Sequence, residues 1–325
     1  MKKVVVLGVT GFIGRNMAER LAGDERYEVY GTYYRSEPFV HPRIKMMRAD
    51  LTNKGSVDKA VRGMDVVIQA AAVTSGAKDI LTKPFIHVTD NAVMNAYIFR
   101  SAYEHKVKHV VFFSCTIFYR PGPAPIKETD FDVNQEMPSS YFGAGWTKLY
   151  HEKMCEFYSR IGPTKYTVIR HSNIYGPHDK FDLEHSHVFG ASMTKVMTAP
   201  EGGNVTVWGS GEEGRDLLYV DDLVDFVARA IAAQKAKFEL MNVGCGRFLK
   251  VKDLVHKIIR HSGKKLNVHY DPSKPTIPTT IYLDTVRALD VFGWSPKVCI
   301  DEGIQKTMRW YQHNVQTGSV LAQGN

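Results

Sequence analysis

Residues 4–14 read VVVLGVTGFIG, and this stretch decides the fold. Val4 to Leu7 is an unbroken, mostly β-branched apolar run, which reads as a strand buried on both faces. Gly8, Gly11 and Gly14 follow at three-residue spacing, and Arg15 to Leu21 carries a helical pattern. In a strand–loop–helix unit of this kind the first glycine permits the tight turn and the second lets backbone approach a pyrophosphate. The third allows helix and strand to pack closely. The loop's place directly after a strand and before a helix is the context that gives the spacing its meaning. Gly8, Thr10, Gly11, Phe12, Ile13 and Gly14 are therefore the expected cradle for a dinucleotide.

Outward from this unit the alternation repeats. YEVYGTYY reads as a second strand, Lys54–Val61 as a helix, DVVIQA as a strand, Asp90–Glu104 as a helix and KHVVFFS as a strand. After the loop RPGPAP, at 120–125, Thr147–Arg160 reads as a long helix and YTVIR as another strand. This order predicts an α/β, Rossmann-type, doubly wound parallel sheet covered on both faces. Beyond Tyr175 the alternation loosens, which predicts a smaller, discontinuous C-terminal domain. Residues 1–173, with about 216–243, are assigned to the dinucleotide-binding domain. Residues 174–215 and 244–315 form the second lobe, and 316–325 a mobile tail.

The chain of 325 residues has a formal charge of +8, yet Lys and Arg are scattered with no run of five or more. An anionic small molecule, and not nucleic acid, is the expected partner. No apolar run approaches the roughly 20 residues needed to cross a bilayer, so no membrane association is expected. Met1-Lys2-Lys3 leads at once into the first strand, unlike a signal peptide. Cys115, Cys155, Cys245 and Cys299 lie far apart with no C-x-x-C pair, so no metal is expected and a reduced cytoplasm is the expected compartment.

The G-x-x-G-x-x-G spacing resembles the short-chain dehydrogenase/reductase superfamily in its extended branch, and more of the chain follows that pattern. Asp50-Leu51 is similar to the family's adenine-edge pair, and Ala70-Ala71-Ala72 to the stretch lining the cofactor. Asn91 is similar to the asparagine of the next helix. Arg170-His171-Ser172-Asn173-Ile174-Tyr175-Gly176-Pro177 resembles the family's R-x-x-N-x-Y-G-P signature, with His171 on the cofactor side and Asn173 on the substrate side. Strand two ends in Gly31-Thr32-Tyr33-Tyr34-Arg35 without a carboxylate for the ribose hydroxyls. Arg35, helped by Arg15, suits a 2′-phosphate, so NADP(H) is favoured over NAD(H), which would bind through Asp50.

His178-Asp-Lys-Phe181, followed by Ser186-His187, resembles a segment of GDP-fucose synthases, an epimerase–reductase family within that branch. The resemblance implies a proton donor at His187, and a near-neutral imidazole suits proton transfer beside a ketone. Val207-Trp208-Gly209-Ser210-Gly211 followed by Arg215 likewise resembles the family's diphosphate-binding segment, with Lys195 as a second cation. His178, His187, Lys195, Trp208, Asn173 and Arg215 are thus the expected substrate contacts. Asp221 and Asp222 read as helix caps.

At the reactive end, 108–119 resembles the strand end where these enzymes place a hydroxyl or thiol beside the nicotinamide. Ser114 or Cys115 faces the substrate, with Thr116 next, and a thiol there would need Lys148 or the cofactor's positive ring to lower its pKa. Lys148 and Glu152 fit the family's Lys-x-x-x-Glu, but four residues before Lys148, where the family keeps its acid/base tyrosine, stands Ala144. Tyr141 could take over as the acid, brought near by a distorted helix entry at Gly143 and Gly145. Cys115, Thr116, His187 or a substrate hydroxyl could equally handle the proton. Catalysis is expected from Lys148, Cys115, Thr116, Ser114, His187 and Tyr141. The expected activity is oxidation, reduction or epimerisation near C3–C5 of a GDP-linked sugar in the second lobe. The competing expectation is a catalytically retired NADP(H) or sugar-nucleotide sensor. The resemblance also implies a homodimer through helices at about 91–105 and 147–161. Met94, Ile98, Leu149 and Met154 would be either its contacts or core.

Overall fold

The computed structural model describes residues 1–74, 83–183, 185–274, 276 and 279–316. The expected tail lies outside the described residues except for Gln316. The first half runs β1 (Lys2–Leu7), α1 (Phe12–Ala22), β2 (Tyr27–Tyr33), β3 (Ile44–Arg48), α2 (Lys54–Val61), β4 (Val66–Gln69), α3 (Thr89–Glu104), β5 (His109–Phe113), α4 (Phe142–Ile161) and β6 (Lys165–His171). These strands, joined by β11 (Phe238–Val243), make one seven-stranded sheet in the order β11-β6-β5-β4-β1-β2-β3. Every pairing in it is parallel.

The continuous apolar run of β1 is explained by what covers it. Val4 and Val6 face a core shared with α1 and with α6 (Val220–Ala233), while Val5 and Leu7 face a second core shared with α2 and α3. With a layer on each side, alternation has no solvent face to serve. Each such side chain contributes about 1.5–3 kcal/mol on full burial.

Two elements differ from the sequence reading. β3 was not expected, because Ile44-Lys45-Met46-Met47-Arg48 lacks an apolar run; it is the edge strand, paired only to β2, and an edge needs less apolar cover. α4 begins at Phe142 and not at Thr147. Gly143 and Gly145 lie inside it as close-approach residues: a Cβ at Gly143 would sit 2.7 Å from Val88 Cγ2, and one at Gly145 2.6 Å from Met137 Sδ. A 3-10 turn over Ser139–Tyr141 leads directly into the helix, with Tyr141 as the residue before its first turn.

Past β6 come β7 (Asn173–Tyr175), α5 (Val188–Thr198), β8 (Asn204–Trp208), β9 (Gly214–Arg215), β10 (Leu217–Tyr219), β12 (Leu249–Lys250), α7 (Val251–Ser262), β13 (Asn267–Asp271), α8 (Val286–Phe292) and α9 (Ile300–Tyr311). The short pairs, β7 with β10, β8 with β13 and β9 with β12, surround a separate core that includes Phe189, Met193, Leu254 and Ile304. α8 instead returns to the first core through Ala288 and Phe292. Asp222 does not cap its own helix; its carboxylate accepts from Lys297 N and Val298 N at 3.0 Å each, tying α6 to the chain before α9. Met94, Ile98 and Leu149 are buried, and half-buried Met154 packs on the same core as Met94 and Ile98, so core packing accounts for these four positions. No helix among the described residues is long and apolar enough to cross a membrane.

Candidate active site

The dinucleotide end is made of backbone. Gly8 has φ +80°, a left-handed value that favours glycine, and a Cβ there would lie 2.7 Å from Ala71 Cα. A Cβ on Gly14 would lie 2.2 Å from the Gly8 carbonyl oxygen. Gly11 caps α1 in extended conformation without a side-chain bond, leaving the first-turn N–H groups to an anionic ligand. A dinucleotide pyrophosphate therefore fits this cradle. Ala70 N donates to Leu7 O, and the Gln69 amide brackets Ala71 through its O and N. Gln69 in turn donates to Asn95 at 2.7 Å, and Asn95 meets buried His151 at 3.2 Å. Asn91 clamps Val73 through two bonds of 2.9 Å, which fixes the chain just past Ala72.

At the ribose end the two arginines separate. Arg15 donates to Glu19 at 2.9 Å and stacks on Phe39, whereas Arg35 is exposed beside Tyr34. Asp50 accepts from Thr52 N and Oγ1, and these bonds hold its carboxyl below the usual range, with Tyr34 and Arg35 adding. Leu51 is buried behind it.

At the reactive end Ser114 and Cys115 diverge. Ser114 donates to Glu152 at 2.6 Å, and Glu152 forms a buried pair with Arg170, bonded at 2.6 and 3.0 Å. Arg170 also reaches the Tyr119 hydroxyl at 2.8 Å and Glu128 O. Ser114 is thus committed to a buried ionic seam and is corrected from substrate-facing to structural. Cys115 does not gain an activated thiol either: burial pushes it up to about 11 and outweighs the lowering by Lys148. Lys148 donates to Phe113 O at 2.8 Å over the Phe112 ring, and burial holds its ammonium below the usual lysine range. His171 Nδ1 donates to Ser172 O at 2.8 Å, which fixes the tautomer, and burial brings the ring down to about 4, so it is neutral near pH 7.

A cleft of about 890 Å³ opens past the ends of β5 and β6. Thr116, Tyr141, Asn173, His187, Lys195, Trp208 and Arg215 all line it. Lys195 donates to Thr206 O at 2.9 Å and lies over the Trp208 ring, and Arg215 donates to Gly214 O and Thr279 O. Burial lowers the pKa of both cations and of His187, where Lys180 adds to it. Tyr141, at the entry of α4, feels the charge of Arg215 and the thiol of Cys115, while burial raises its phenol. Lys148 is not a lining residue of the cleft; its charge acts on Cys115, which in turn acts on Tyr141. His178 is apart from the group: it has a left-handed φ of +68°, and its ring packs on Trp310 and faces Glu19 at 3.6 Å.

The sequence reading overlooked two contributors. Asp216 accepts from Cys245 N, Leu283 N and Gly246 N, pinning the strand of Arg215, and burial pushes it up to about 6. Glu213 lines the cleft beside Arg215. The signal for both was their adjacency to Arg215. Among the described residues, no group of three or more His, Cys, Asp or Glu could hold a metal ion.

Sheet, glycine loop and charged cleft together define a dinucleotide-fold protein with a second ligand site at the carboxyl ends of its strands. The chain belongs to the NAD dependent epimerase/dehydratase family, whose model matches residues 4–244. It is 26% identical over 314 residues to a GDP-L-colitose synthase of Yersinia pseudotuberculosis, covering 95% of this chain and 97% of that one. It is 31% identical over 271 residues to a putative GDP-L-fucose synthase 2 of Arabidopsis thaliana, covering 82% of each. In fold it is similar to a UDP-glucose 4-epimerase from Thermotoga maritima solved with UDP-glucose, at TM-score 0.85 and 23% identity over 96% of this chain and 99% of that one. The family is one of nucleotide-sugar epimerases and reductases.

Proposed function

We propose that this chain oxidises, reduces or epimerises a GDP-linked sugar near C3–C5, using bound NADP(H). The observation that carries the reading is the single cleft that holds Arg215, Lys195, His187 and Tyr141. Arg215 and Lys195 hold the diphosphate, Asn173 orients the sugar, and the loop Gly8–Gly14 with Ala70–Ala72 holds the dinucleotide. Arg35, exposed and not drawn into an ion pair by Glu19 as Arg15 is, takes the 2′-phosphate. The dinucleotide, when bound, exchanges a hydride with the sugar carbon.

The chain's own residues move the protons. A neutral His187 imidazole takes a proton from, or returns it to, the carbon next to the ketone. Tyr141 supplies the hydroxyl proton that a tyrosine at Ala144 would otherwise supply. Its neighbours, Arg215 and Cys115, differ from the lysine usual in that role, so this active site is atypical. The exposed apolar stripe Phe142, Tyr150, Phe157 and Ile161 on α4 is the proposed homodimer face, which light scattering of the purified protein tests.

Ala144 supports one other reading, a sensor that binds without turnover. Incubation with a GDP-4-keto sugar and NADPH in deuterated water separates the two. Solvent deuterium at C3 or C5, or a reduced C4, is expected; tight binding with neither change would leave the sensor.

A further inference from the structure

The cleft is basic where it meets Lys195 and Arg215, yet its lining includes two carboxylates that their role does not use, Glu136 and Glu213, and Glu213 is the one whose charge acts on Arg215. Glu213 lines the cleft and raises the proton affinity of Arg215 through its charge. Among the described residues its side chain makes no hydrogen bond or ion pair, whereas neighbouring Glu212 is bound by both Lys250 and Lys252. Glu213 and Arg215 flank Gly214 and both line the cleft. Across the turn, where Gly209 and Gly211 take positive φ, stands Trp208, an aromatic side chain 42% exposed in the same cleft. A carboxylate two positions from the arginine assigned to the diphosphate, and an indole lining the same cleft, offer a planar heterocycle both an edge acceptor and an aromatic border.

The chemistry of the carboxylate then selects among heterocycles. It offers two acceptor oxygens side by side and no donor. Guanine is the nucleobase that presents two adjacent donors, N1–H and the 2-amino group, on its Watson–Crick edge. Uracil and thymine set a single N–H between two carbonyls, which a carboxylate meets once and repels on either side. Adenine and cytosine each set an acceptor nitrogen beside their amino group. We propose that Glu213 is the base-reading residue of this site, accepting from guanine N1–H and the 2-amino group while the Trp208 ring borders the base. This rests on the reading that a nucleoside diphosphate sugar occupies the cleft, and it names the residue that decides the base.

Titration calorimetry of the full chain with GDP, inosine diphosphate and UDP tests it, because the base of inosine, hypoxanthine, differs from guanine only by lacking the 2-amino group. The wild type is expected to bind GDP about tenfold or more tightly than inosine diphosphate, the size of one hydrogen bond to a charged acceptor. Glu213→Gln should bring the two within about threefold and leave UDP unchanged. Arg215→Ala should weaken all three alike, since it acts on the diphosphate they share. A wild type that does not separate GDP from inosine diphosphate, or a Glu213→Gln variant that separates them as well as the wild type does, overturns the assignment while nucleotide binding stands. If none of the three diphosphates binds the wild type, the nucleotide-sugar reading falls and this one with it.

Discussion

The two ends of the site are made of different material. At the dinucleotide end, Gly8, Gly11 and Gly14 let main chain approach main chain, and the space left over is shaped by missing Cβ atoms. At the proposed sugar end, Lys195 and His187 reach in from α5 and its N-cap, Trp208 from β8 and Arg215 from β9, with Lys195 and Arg215 held by carbonyls and the strand of Arg215 by Asp216. A backbone cradle tolerates almost no substitution at its glycines but reads little beyond charge and shape. A side-chain cleft tolerates change one residue at a time and can read chemistry. The Ser114–Glu152–Arg170 seam belongs to neither: Glu152 and Arg170 line a separate cavity.

Substitutions break or sharpen this contrast. Glu152→Ala leaves the Arg170 guanidinium buried without its partner and should lower the unfolding free energy by about 3–5 kcal/mol in urea titrations. A loss below about 1 kcal/mol would mean that the seam is not structural. Tyr141→Phe keeps the ring and removes the proton, so the turnover number should fall by about 10²- to 10⁴-fold while nucleotide affinity stays within twofold. Unchanged turnover would move the acid role elsewhere in the cleft. Gly14→Ala should cost about 1–3 kcal/mol by overpacking against Gly8 O and remove NADPH fluorescence enhancement, yet spare GDP binding to the folded protein. Equal loss of both ligands would show the ends to be one unit.

The smallest effect is a pH slope. His109 is brought down to about 4 and His151 to about 3, in both cases chiefly by burial. Each imidazole binds its proton more weakly in the folded chain than in the unfolded one, where the value is near 6.5. Their contribution is therefore present above pH 6.5 and is lost as pH falls toward those lower values. Buried Asp216, pushed up to about 6, acts with the opposite sign and takes up its proton first in the folded state. Replacing His151 with Phe should make the acid-side fall in unfolding free energy shallower between pH 6.5 and 4 by about 1 kcal/mol or more. An unchanged slope would show that the ring does not titrate with unfolding.

Much of this was legible because it is written in local spacing. The Gly8–Gly14 loop and the apolar strands state their own period, and Lys54–Val61 stands in the structure as it reads in the sequence. β3 was not legible, since an edge strand with one mate is not required to be apolar. Gly143 and Gly145 looked like breakers because the reason for them, Val88 and Met137, lies outside the helix. Side-chain direction was the hardest to foresee. Nothing in the letters turns Ser114 toward Glu152 or His178 toward Glu19 and Trp310; those choices come from partners distant in sequence.

The buried pairing of Glu152 with Arg170 also constrains the history of this chain. Either residue alone, stranded at 4–5% exposure, is worse than both or neither. A descendant that drops one must drop the other almost at once, with Ser114 and Tyr119 relieved of their bonds in the same step. Departures at this spot should therefore arrive as coordinated sets, and a homologue carrying only one of the two should hold a replacement counter-ion nearby.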